Sequence, residues 1–195
     1  MPLGNDIVDL RAAARHRPAY YERLKRSSFY PEELLLVQEY ESAFWLLWAA
    51  KESAFKAVAQ AGRVDRRFNP KDFLLKEIHQ TEEGIIYTID CKPFRFNGII
   101  DLEKDFLHAL SWTEPKPHFL TEVIYSEETD YQDQSSLLRN IILEQMSKMF
   151  DDSITAITID KDENMIPFFR KGDERLPNNL SLSHHGSYLA YAFTI

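Results

Sequence analysis

Three short segments of this 195-residue chain hold residue types that can do chemistry together. The first is Gly4-Asn5-Asp6-Ile7-Val8-Asp9-Leu10. A carboxylate among aliphatic residues is costly to bury unless it is paired or holds a cation. Hard carboxylate oxygens suit Mg2+, which keeps places for water and substrate phosphate. In a strand, Asp6 and Val8 face one way and Asp9 the other. The second segment is Trp48-Ala49-Ala50-Lys51-Glu52-Ser53-Ala54-Phe55-Lys56. Glu52 and Lys56 are four apart and share a helix face. A glutamate there can complete a metal site or act as a general base, and a lysine one turn later can neutralise phosphate charge. The third is Leu180-Ser181-Leu182-Ser183-His184-His185-Gly186-Ser187. Hydroxyls, imidazoles and backbone amides beside a glycine turn make a phosphate cradle. Adjacent histidines on a strand point to opposite faces, and the single cysteine, Cys91, adds no cluster, so zinc fits poorly. Each segment alone also fits an ordinary role: a capping or strand-edge aspartate, a polar hairpin loop, or an exposed Glu–Lys pair worth about 0.3–0.5 kcal/mol.

The elements that must position these residues follow from periodicity and punctuation. Asn5 to Leu10 reads as a short strand. Ala12 to Lys25 reads as a helix broken or kinked at Pro18. Pro31 suits a first helical position with Glu32 and Glu33 behind it, so a helix is expected to about Tyr40. Ser42 to Ala61 is the strongest helix, rich in Ala, Leu, Lys and Glu and ending at Gly62, with Phe44, Leu47, Trp48 and Phe55 on a buried face. From Asp72 to Trp112 the segments DFLLKEIHQ, GIIYTIDC, FNGIIDLE and FLHALSW predict an antiparallel meander. Glu114 to His118, with Pro115 and Pro117, reads as a linker. Beyond it, Phe119 to Tyr125 is expected as a strand, Ser135 to Phe150 as an amphipathic helix and Ser153 to Ile159 as a strand. Leu180 to Ser183 and Tyr188 to Ile195 then form strands around a turn at Gly186. FLHALSW and YLAYAFT correspond, which points to an internal duplication: residues 1–114 and 119–195 form two α+β halves, each an antiparallel sheet packed on helices.

Composition narrows the class. The chain is 44% hydrophobic and 28% charged, an ordinary globular balance. Its net charge of −8 argues against general nucleic-acid binding. The longest apolar run, Ala43 to Ala50, is too short to span a membrane, and MPLGNDIVDL is unlike a signal peptide. One cysteine excludes an internal disulfide, so a cytoplasmic setting is expected. Against this acidic background Arg11, Arg15, Arg17, Arg23, Lys25 and Arg26 cluster with one acid, Glu22. Such a face is either simply solvated or made for an acidic partner.

The three segments together resemble the 4′-phosphopantetheinyl transferase superfamily. Gly4-Asn5-Asp6 matches its G-x-D signature, Trp48 to Lys56 its W-x-x-K-E-x-x-x-K signature, and Ser181-Leu182-Ser183-His184 its S-x-S-H segment. The motif order is that of the holo-acyl-carrier-protein synthases, while the two-half length is that of the large members. The resemblance implies transfer of 4′-phosphopantetheine from coenzyme A to a serine of an acidic acyl or peptidyl carrier protein, with Mg2+ as cofactor. It assigns Asp6 and Glu52 to the metal, Glu52 and Lys56 to catalysis, and Ser183, His184 and Lys56 to coenzyme A. Arg11 and Arg15 become the carrier-docking residues, and two halves in one chain favour a monomer. Two positions depart from the large members. Val8 stands where they carry another acid, leaving Asp9 as the nearby carboxylate, and Asn164-Met165-Ile166-Pro167 keeps only Pro167 of a Gly-Lys-Pro segment. The alternatives are a non-catalytic member that binds coenzyme A or carrier protein, and a nucleic-acid module built on the basic helix.

Overall fold

A computed structural model describes residues 1–15, 18–40, 42–62, 67–128, 130–150 and 157–195. Strand β1 spans Leu3–Asp9 and runs into a single helical turn, α1, Leu10–Ala13. Helix α2 follows at Pro18–Ser28, so Pro18 opens a second helix instead of kinking one. That placement suits a residue with fixed φ and no N–H to lose. Helix α3, Pro31–Val37, starts at Pro31 as expected but stops a turn before Tyr40. Helix α4 is Ala43–Gln60. The meander is β2 Leu74–Thr81, β3 Gly84–Cys91, β4 Phe94–Leu102 and β5 Phe106–Trp112. Strand β1 joins its far side, giving the order β1-β5-β4-β3-β2, all antiparallel.

The second half opens with β6, Phe119–Tyr125, then helix α5, Tyr131–Phe150. The helix begins a turn earlier than Ser135 because the Asp130 carboxylate accepts from the backbone N–H of Gln132 and Asp133. Strand β7, Ile157–Lys161, covers the end of the strand expected over Ser153 to Ile159, whose first residues lie outside the described ones. Strand β8, Pro167–Lys171, was not anticipated, and β9, Glu174–His185, extends well upstream of Leu180. Strand β10 is Tyr188–Thr194.

This second sheet runs β6-β10-β9-β8-β7. Position for position, that order repeats β1-β5-β4-β3-β2, with α4 and α5 in equivalent places. The FLHALSW and YLAYAFT segments, β5 and β10, occupy matching second positions. The fold is therefore α+β, with two antiparallel five-stranded sheets packed on helices.

Among the described residues, three apolar clusters hold it. One fills the space between α4 and the first sheet, around Leu46, Leu47, Ile89 and Phe96. A second lies between α5 and the second sheet, around Ile142, Phe169 and Phe193. The third, Leu3, Leu110, Trp112 and Ala192, joins the halves. The repeat is unequal in environment: every residue of β1 is buried, while most of β6 is open.

Candidate active site

Close approach of α4 to β1 builds the site. A Cβ on Gly4 would overlap the Ser53 carbonyl and lie 2.7 Å from the Ala57 amide nitrogen. Strand and helix backbones therefore touch there, which only glycine permits. Two residues along, on the same strand face, Asp6 meets Lys56, one turn beyond Ser53. The Lys56 ammonium is 2.9 Å from Asp6 Oδ1 and 3.7 Å from Glu52 Oε1. Asp6 and Glu52, distant along the chain, thus converge on one cation.

Each carboxylate has a further tie. The Trp48 indole N–H donates to Glu52 Oε2 at 2.8 Å, which leaves Oε1 toward Lys56. The Ser183 hydroxyl donates to Asp6 Oδ1 at 2.9 Å and accepts from the Ile7 N–H at 3.0 Å. Its proton is thereby directed at Asp6, and the same residue also lines the neighbouring cleft. Asp6 is only 5% exposed. Burial pushes its carboxyl up to about 7, against the pull of Lys56 and with help from the Glu52 charge. Burial works to lower Lys56, but the Asp6 and Glu52 charges outweigh it and raise the ammonium above its ordinary value.

Lys56 also lines a cleft of about 650 Å3 between α4 and the second half. His184, Pro167, Tyr131, Arg139 and Lys161 line it too. His184 packs at a 60° tilt against Tyr131 with ring centres 4.8 Å apart, and burial, then the Lys56 charge, lowers its basicity. The two histidines do part to opposite faces. His184 looks into the cleft, while His185 Nδ1 accepts from the Asp9 N–H at 2.9 Å.

Other conspicuous residues lie elsewhere. Asp9 Oδ1 caps α1 at the Ala12 N–H and Oδ2 accepts from Ser187 N–H, so this carboxylate clamps a helix to a turn. That turn needs Gly186, whose φ is +59° and whose added Cβ would lie 2.8 Å from Asp9 Cβ. Val8 packs in the first core. Lys51, fully buried, is 2.7 Å from buried Glu33 and donates to the Pro70 carbonyl at 3.0 Å, so its role is structural. Arg11 forms a two-pronged ion pair with Asp105, at 2.7 and 2.6 Å, and Arg15 is exposed nearby. Arg17 is outside the described residues.

Sequence reasoning missed Trp48 as a carboxylate holder; its place four residues before Glu52 was the available signal. It also missed Arg139 and Lys161, which belong to no motif and reach the cleft only through the fold. Among the described residues no cluster of three His, Cys, Asp or Glu side chains is placed to hold a metal. Two carboxylates meet Mg2+'s usual needs, since it takes one or two with water and phosphate. No described helix is long and apolar enough to cross a membrane.

A search of curated proteins returns no match. A family profile matches residues 2–111, a span that contains β1, α4 and the Asp6, Glu52 and Lys56 constellation and leaves out the Ser-His strand. With more than half of its residues inside that match, and with its acids meeting where those signatures place them, the chain belongs to the 4′-phosphopantetheinyl transferase superfamily.

Proposed function

We propose that the chain transfers the 4′-phosphopantetheine arm of coenzyme A to a serine hydroxyl of an acidic apo carrier protein, in a Mg2+-dependent reaction of the holo-acyl-carrier-protein synthase type. The observation that carries this reading is the convergence of Asp6 and Glu52 on Lys56, itself part of a cleft with further cations, Arg139 and Lys161. A buried, Lys-paired carboxylate beside a second one fits a divalent ion, which would favour the ionised form that burial opposes. Asp6 and Glu52 would hold Mg2+, which when bound offsets charge developing on the pyrophosphate and leaving nucleotide.

The chain's own groups then do the following. Glu52 accepts the serine proton, directly or through water, through the oxygen that Trp48 leaves open. The serine Oγ–P bond forms as the pyrophosphate P–O bond breaks, and adenosine 3′,5′-bisphosphate leaves with the electron pair. Lys56 faces the phosphates and shields their charge. His184 holds the 3′-phosphate from the cleft wall. Arg11 and Arg15 dock the acidic carrier beside the site.

The direct test is a gain of roughly 340 Da, one phosphopantetheine arm, on apo carriers incubated with coenzyme A and Mg2+. No gain on any fatty-acid, polyketide or peptide-synthetase carrier sinks the proposal. Glu52→Gln should lose the transfer and keep coenzyme A binding, which separates an enzyme from a binding protein of the same fold. Reversing Arg11 and Arg15 to Glu should raise KM for the carrier about tenfold with coenzyme A affinity unchanged; equal loss of both contradicts the docking role.

A further inference from the structure

Strand β1 is the edge of its sheet, and among the described residues its backbone pairs only with β5. Its outer N–H groups face the second half, where an unpaired buried donor is costly. Four side chains satisfy them in succession. Leu3 N–H donates to Gln60 Oε1 at 3.2 Å, and Asn5 N–H to Ser181 Oγ at 2.9 Å. Ile7 N–H donates to Ser183 Oγ at 3.0 Å and Asp9 N–H to His185 Nδ1 at 2.9 Å. Alternate residues of β1 thus meet alternate residues of β9, side chain to backbone, where a strand would have met it backbone to backbone. Gln60 closes the seam by donating to the Leu180 carbonyl at 2.8 Å. The two serines do double duty. Ser181 Oγ also donates to Asn5 Oδ1 at 2.9 Å, and Ser183 Oγ to Asp6 Oδ1 at 2.9 Å.

We propose that Ser183 is a positioning residue, which holds the Asp6 carboxylate as the central rung of a side-chain ladder that sets the register between the halves. The argument is geometric. Ser183 is buried, its proton and one lone pair are both used within β1, and it touches the carboxylate and the next residue's N–H at once. One hydroxyl therefore fixes both where β1 lies and where its Asp6 side chain points. This explains why a serine, and not an apolar residue, precedes His184 at a place where the strand both borders the cleft and meets β1. The role rests on Asp6 being a metal carboxylate, as proposed above.

The test uses the whole chain with Ser183→Ala, Ser183→Thr and Ser181→Ala. Amide hydrogen exchange reads the ladder. Mn2+ or Mg2+ titration reads the carboxylate, and coenzyme A titration in chelator reads direct phosphate contact. Ser183→Ala should speed exchange at Ile7 about tenfold, leave Asn5 within about threefold, and weaken divalent-ion binding about fivefold or more. Coenzyme A affinity in chelator should not change, and Ser183→Thr should restore both losses. Ser181→Ala should move the Asn5 amide and leave divalent-ion binding alone. If Ser183→Ala does not fold, Ser183→Cys, a weak acceptor and donor, carries the same readings.

Weaker coenzyme A binding in chelator with intact metal affinity would make Ser183 a phosphate ligand and overturn the proposal. Unchanged Ile7 exchange would also overturn it. Wild-type protein that binds no divalent ion would overturn the metal reading of Asp6, and the positioning role with it, while the exchange data would still decide whether the ladder exists.

Discussion

Glu52 reaches the site with one oxygen already spoken for, because Trp48 donates to the other. A hydrogen bond to a charged group is worth about 1.5–3 kcal/mol, enough to select one rotamer of a surface-facing glutamate. Trp48→Phe keeps most of the ring packing and removes the donor. The expected result is a fall in kcat/KM for transfer of about tenfold, roughly 1.4 kcal/mol, with the folded state retained. Two buried groups near it titrate in opposite senses. Asp6 is raised from 3.8 to about 7, so its contribution to stability is full below about pH 4 and is lost as pH rises through 7. Buried His108, within 3.4 Å of the Asn5 amide, is lowered from 6.5 to about 4 by burial and then by Lys56. Its contribution is full above 6.5 and is lost as pH falls through 4. Asp6→Asn should therefore lose stability on acidification from pH 7 to 5, and His108→Gln should gain it. Urea midpoints at the two pH values decide, and parallel slopes in the two variants would contradict both assignments. The sequence shows these side chains but not their shifts, which come from burial and so from partners far along the chain.

At the scale of elements, α4 carries the proposed site on one face and a structural ion pair on the other. Glu52 and Lys56 look toward Asp6, while Lys51, their neighbour in the same signature, turns into the core against Glu33. Lys51→Met leaves the Glu33 carboxylate buried without its cation, which should cost about 3–5 kcal/mol in urea unfolding. Transfer per folded molecule should survive, a separation that Glu52→Gln reverses. Gly4→Ala attacks the contact that sets the whole face. It should destabilise by about 3 kcal/mol from overpacking and, by moving β1 off α4, reduce transfer in the molecules that still fold. Helix α4 was readable almost to the residue because its composition and the stop at Gly62 agree. Strand β8 was not. It is five residues long, starts at a proline and ends beside Gly172, so its local pattern is that of a loop and only pairing with β7 and β9 makes it a strand. The polar start of β9 was missed for the same reason.

For the whole molecule, the duplication was faintly visible in FLHALSW and YLAYAFT, and the repeated strand order makes it plain. The seam between the halves was invisible, because Ser181, Ser183 and His185 carry no sign of what they cap until β1 lies beside them. An apolar cluster and a row of buried and part-buried hydrogen bonds both cross that seam. Heat should therefore unfold the halves together, with calorimetric and van't Hoff enthalpies agreeing. Two separate transitions would mean the seam is weak.

The row of bonds along β1 has a bearing on how a guest is received. The cleft lies between α4 and the second half, and ties from β1 and α4 to β9 join its two sides. Moving those sides apart would mean breaking several donors away from their acceptors, with the bonds at Ser181 and Ser183 buried. The entropy of arranging the two sides is consequently spent during folding, before any ligand arrives, and the nucleotide of the proposed reaction would meet a groove already in shape.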